Sequence, residues 1–92
     1  MRYREKVHYV DAWKAPDVIT HDSWVRFRVK HALPRWCVGE SDGKTGVIIP
    51  TRGVKHVAEA GDYIVREEDG SYSACPDSLF HRFYEECEDN DD

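Results

Sequence analysis

Tyr63-Ile64-Val65-Arg66-Glu67-Glu68-Asp69-Gly70-Ser71-Tyr72-Ser73-Ala74-Cys75-Pro76-Asp77-Ser78-Leu79-Phe80 changes character twice within eighteen residues. Tyr63 to Arg66 and Ser71 to Cys75 are rich in β-forming side chains, and Asp69-Gly70 between them is a hairpin turn signal. Pro76-Asp77 then ends the extended pattern. Leu79, Phe80, Phe83 and Tyr84 have helical spacing, with Asp77 placed to cap the amides of Leu79 or Phe80. The segment predicts a hairpin followed by an amphipathic helix over about residues 78–87. Phe80, Phe83 and Tyr84 would lie on the sheet, with His81, Arg82, Glu85 and Glu86 toward water.

Upstream, extended patterns recur. Residues 3–13 alternate Val7, Tyr9 and Asp11 with His8, Val10 and Ala12 and read as one strand ended by Lys14-Ala15-Pro16-Asp17. Residues 23–31 place Val25, Phe27 and Val29 on one side and Trp24, Arg26, Arg28 and Lys30 on the other, which predicts a half-buried strand with a basic outer face. Pro16-Asp17 leaves residues 16–23 as the place for an extra short helix. Arg35 to Val38 continue extended, Gly39 to Gly46 read as a loop, and Val47–Thr51 and Val54–Ala58 flank a tight Arg52-Gly53 connection. The predicted fold is α+β: a small, mostly antiparallel sheet of five to seven strands with one short C-terminal helix. Residues 1–87 form a single domain and 88–92 an acidic disordered tail.

Ninety-two residues suit one core, and 40% hydrophobic with 34% charged residues describes a globular chain. The longest apolar runs are far short of the roughly 20 residues a membrane helix needs, and the charged start lacks a signal-peptide core. An intracellular, non-membrane protein is expected. The net charge of −5 is unevenly spread. Residues 85–92 hold six of the eighteen acids, so residues 1–84 carry thirteen bases against twelve acids, and residues 1–35 are the basic side with eight bases and four acids. The tail reads as solvating, with docking or DNA mimicry as the other reading.

Two stretches together resemble a group of small bacteriophage and prophage proteins. One is Met1-Arg2-Tyr3-Arg4-Glu5-Lys6 through Val10-Asp11-Ala12-Trp13. The other runs from Ile49-Pro50-Thr51-Arg52-Gly53 through Ala60-Gly61-Asp62-Tyr63-Ile64-Val65 to Tyr72-Ser73-Ala74-Cys75-Pro76-Asp77-Ser78-Leu79-Phe80 and Phe83-Tyr84-Glu85. It is similar to that group's Pro-Gly-Asp-Trp/Tyr-Ile-Ile hairpin and Tyr-x-Cys-Lys-Pro-Asp-x-Phe helix entry. The chain has Ala60 in place of the proline, lacks the lysine between Cys75 and Pro76, and is unmatched over residues 14–46. The resemblance implies phage ancestry, hence the host cytoplasm as the expected location, and a β-rich fold, and carries no catalytic or binding residues with it.

The chemical candidates are few. Cys37, Cys75 and Cys87 form no disulfide framework, and Cys75, His81 and Cys87 are spaced too widely for a structural zinc site, so no metal or cofactor is expected. Gly39, Gly43 and Gly46 around Lys44-Thr45 do not have P-loop spacing, and no local signature marks a catalytic Cys-His set. The remaining ligand-binding set is Trp24, Arg26, Arg28, Lys30, Arg35 and Trp36, in which guanidinium forks and indoles suit a phosphate-bearing ligand. The competing reading is a solvated basic face beside tryptophans that pack. The expected function is non-enzymatic: a phage accessory protein that blocks or sequesters a host defence or metabolic component. Its partner would be a host protein or a small nucleotide, with nucleic acid not expected and homo-oligomers left open; a structural or assembly role in the phage particle is the alternative.

Overall fold

The computed structural model describes the backbone of residues 2–5 and 8–87 and the side chains of residues 10–84. The acidic segment 88–92 lies outside the described residues. The mixed, mostly antiparallel α+β fold is as the sequence predicts, with a short C-terminal helix among its elements. Strands β1 (Arg2–Glu5) and β2 (His8–Lys14) form a hairpin where one strand was expected. Then come helix α1 (His21–His31), strands β3 (Cys37–Ser41), β4 (Lys44–Thr51), β5 (Val54–Ala58), β6 (Tyr63–Arg66) and β7 (Tyr72–Cys75), helix α2 (Asp77–Phe83) and strand β8 (Glu85–Cys87). One sheet has the order β7-β6-β2-β1-β8, the other β3-β4-β5, and the ladders in both are antiparallel.

The two faces of the five-stranded sheet follow strand alternation. Val10, Ala12, Tyr63 and Val65 gather on one side with Phe80 of α2. Ile64 points to the other, where it meets Val47, Ile49 and Ala58 of the three-stranded sheet and Trp24 and Leu33 from α1 and its exit. The order of layers is therefore α2, five-stranded sheet, then three-stranded sheet with α1. A Cβ on Gly46 would fall 2.1 Å from the Ala58 carbonyl oxygen, so the close approach of β4 to β5 requires glycine there.

The segment 39–46, expected as a loop, is the tip of the β3–β4 hairpin. Asp42 and Gly43 take φ of 54° and 77°, the left-handed pair of a type I′ turn, and Arg52-Gly53 does the same at 52° and 80°. Helix α2 is shorter than predicted: it ends at Phe83, Pro76 rather than Asp77 occupies the N-cap, no side chain caps it, and residues 85–87 pair with β1 instead. Phe80 is fully buried and Tyr84 half-buried, but Phe83 is exposed rather than on the sheet.

The main departure is residues 21–31, which are helical and not a strand. Thr20 and Ser23 form reciprocal side-chain to backbone bonds: the Ser23 amide donates to Thr20 Oγ1 at 3.0 Å and the Thr20 amide to Ser23 Oγ at 2.8 Å. Asp22 in the first turn and Arg28, Lys30 and His31 in the last suit the helix dipole. Ala32 closes the helix at φ 55°, and Leu33 donates its amide to the Arg28 carbonyl at 2.8 Å, a Schellman-type end. The period-2 pattern of Val25, Phe27 and Val29 coexists with a helical one, Trp24, Phe27 and His31, and capping plus burial of Trp24 decides for the helix.

Candidate functional site

A strand would have put Arg26, Arg28 and Lys30 on one face. At about 100° per residue a helix separates them. Arg26 and Lys30 lie one turn apart and are exposed, while Arg28 is rotated toward the Trp24 side and half-buried. Arg35 follows the helix and is exposed. None of these four cations has an ion-pair partner among the described residues. Val29, three residues from Arg26 and 66% exposed, and half-buried Val25 continue the outward side. Burial, with Lys30 adding to it, lowers the His31 imidazole below its ordinary value.

The structure takes Trp24 out of the predicted ligand set. It is 1% exposed, and its indole N–H donates to the Trp36 carbonyl at 2.8 Å. The three tryptophans instead build an aromatic run through the interior. Phe27 stacks on Trp24 at 5.9 Å, Trp24 on Trp36 at 6.1 Å, Trp36 meets Tyr72 edge-on at 4.8 Å, and Tyr72 lies 6.4 Å from Trp13, over which Arg66 is placed at 5.6 Å. Such contacts fix α1 to the sheets by burial and ring geometry. Trp36, half-buried within this run, is a packing residue flanked by rings on two sides. Of the six predicted residues, Arg26, Lys30 and Arg35 remain on the surface as open charges.

A second feature, not read from the sequence, is a cleft of about 720 Å³ between the β4–β5 and β6–β7 hairpins, with Val54, His56, Glu68 and Tyr72 in its wall. Arg52 pairs with Asp69 and the Thr51 hydroxyl donates to the Tyr72 carbonyl, so the two hairpin ends are tied together. The Ser71 hydroxyl and amide, at 2.7 and 2.9 Å, together with Arg52, hold Asp69 at about 2. Sequence alone shows both turns but not their proximity, because Arg52 and Asp69 are seventeen residues apart.

The thiol and carboxylate chemistry is quiet. Burial, then Asp62, pushes the Cys75 thiol up, away from the nucleophilic thiolate. Burial likewise raises Asp62, whose carboxylate accepts the Glu59 amide at 2.9 Å. His81 lies 3.4 Å from both the Tyr63 hydroxyl and Asp77. Among the described residues no group of three or more His, Cys, Asp or Glu could hold a metal ion, and no helix is long and apolar enough to cross a membrane. No protein-family model matches the chain, and neither the curated proteins nor the solved structures gave a match.

Proposed function

We propose that this protein is a non-enzymatic binding protein that engages an acidic surface on a host protein through the outward side of α1, in keeping with an accessory role of phage origin. The observation that supports this reading is the set Arg26, Lys30 and Arg35, exposed and without an acidic partner among the described residues, beside the exposed side chain of Val29. Open cations with an apolar neighbour suit a complementary protein surface, where charge steers encounter and a desolvated apolar contact holds it. A small nucleotide is the weaker choice, because Trp24 is sealed in the core and a convex helix side does not enclose a ligand. Phage ancestry rests on the residues that resemble the phage group.

The test is affinity enrichment from host lysate with the parent and with R26E/K30E, followed by binding of the enriched protein in purified form. Loss of the same partner in the charge-reversed variant, with affinity falling as salt rises, is the expected result. Retention of every partner by R26E/K30E would overturn the α1 assignment. Tight binding of a nucleotide that requires Arg26 would move the reading to the small-ligand version.

A further inference from the structure

The inner face of the β4–β5 hairpin changes along its length. Residues opposite one another on this ladder share a face, and the pairs directed at the five-stranded sheet are Val47 with Ala58, Ile49 with His56, and Thr51 with Val54. Val47, Ile49 and Ala58 are buried and cluster with Ile64 of β6. His56 is half-buried, and Val54, next to the Arg52-Gly53 turn, is 57% exposed. The core between the two sheets is therefore closed at one end of the hairpin and open at the other, and the opening is the cleft of about 720 Å³. That volume falls within the roughly 300–1,000 Å³ of small-molecule sites. Its walls are held in place, because the Thr51 hydroxyl bonds to the Tyr72 carbonyl and Arg52 pairs with Asp69. A site fixed in advance loses little freedom when it is filled.

The charges in the wall do not all bear on a ligand. Arg52 and Asp69 neutralise each other, and Asp69 also accepts from the Ser71 amide and hydroxyl. Glu67 is engaged in a contact of its own. Glu68 differs, being exposed and without an ion pair among the described residues. One uncompensated carboxylate beside the apolar side chain of Val54 and the half-buried Tyr72 suits a molecule that is cationic at one end and apolar at the other. The same carboxylate repels phosphates and carboxylates. We propose that this cleft binds a small organic ammonium compound, with its apolar body against Val54 and Tyr72 and its ammonium group beside Glu68. A free molecule is favoured over a lysine of a partner protein, because a single unbranched stem fills little of such a volume. This site is separate from α1, and either can fail without the other.

The experiment is a titration of the whole protein with phenethylamine hydrochloride at neutral pH, observed by amide NMR. The expected result is a set of saturable shifts gathered at residues 51–56 and 67–73. Phenylacetate, which carries the same ring with the opposite charge, should bind roughly tenfold more weakly. Glu68→Gln should weaken phenethylamine about threefold without weakening phenylacetate. Val54→Thr, which keeps the shape of an exposed side chain but makes the wall less apolar, should also weaken phenethylamine about threefold. The proposal is overturned if phenethylamine gives no saturable shifts at these residues, if the shifts centre on α1, if phenylacetate binds equally well, or if Glu68→Gln binds like the parent. It is also overturned if N-acetyl-lysine methylamide binds as tightly as phenethylamine, which would mark a surface that reads a partner's lysine.

Discussion

Replacing Phe80 by alanine removes the side chain on which α2 depends. Phe80 is 0% exposed, stacks on Tyr63 at a centroid distance of 3.9 Å and an interplanar angle of 6°, and stacks on Tyr84 at 4.9 Å. Helix α2 has seven residues and no side-chain cap, so it has little stability of its own and is held by this one buried ring. Burial and cavity terms for such a phenylalanine are about 3–5 kcal/mol. A domain of this size has a total stability of roughly 5–14 kcal/mol, and each kcal/mol shifts Tm by about 4–8 °C. Phe80→Ala is expected to lower Tm by on the order of 15–30 °C in calorimetry or circular dichroism. Phe80→Leu, which keeps most of the apolar volume, should lose about 1–2 kcal/mol and remain folded. Phe83, in the same helix but 54% exposed, provides the contrast: Phe83→Ala should stay within about 0.5 kcal/mol of the parent. Equal melting temperatures for Phe80→Ala and the parent, or equal losses for the two alanine variants, would refute the packing of α2 described above.

Thr20→Ala removes the acceptor of the Ser23 amide and should cost about 1 kcal/mol in urea unfolding, with Thr20→Ser close to the parent. Gly46→Ala forces a methyl into the Ala58 carbonyl and should cost about 1–3 kcal/mol, whereas Gly39→Ala, whose Cβ would meet only the Ile48 Cδ1 at 3.1 Å, should cost less. Asp69 is held down at about 2 from an ordinary 3.8, so its contribution is present above about pH 4 and is lost as pH falls toward 2. Asp69→Asn should accordingly flatten the stability profile between those two values, as measured by denaturant titration at each pH. An unchanged acid slope would count against the ties from Ser71 and Arg52.

The C-terminal half was legible because its signals are local. Gly70, Gly53 and the Pro76-Asp77 boundary act on their immediate neighbours, so the turns and the strands beside them could be read locally, whereas the placing of Tyr63 and Val65 on one face and Ile64 on the other is seen in the structure. The helical spacing of Phe80 and Tyr84 held for the same reason, although pairing of residues 85–87 with β1 ended α2 early. Residues 21–31 carry two periods at once. Val25, Phe27 and Val29 fit a strand, Trp24, Phe27 and His31 fit a helix, and the left-handed close at Ala32 lacks the glycine that usually announces it. The local Thr20–Ser23 cap favours the helix, and the bond from Trp24 to the Trp36 carbonyl and the aromatic run, which only the assembled layers provide, add the burial that decides for it. The candidate site divided along the same line. Composition alone marked the first third as basic, but whether three cations share a face depends on a period of 2 or 3.6, and tertiary burial made that choice. The tie between Arg52 and Asp69 had no local sign, because it arises where two hairpins from different sheets come together.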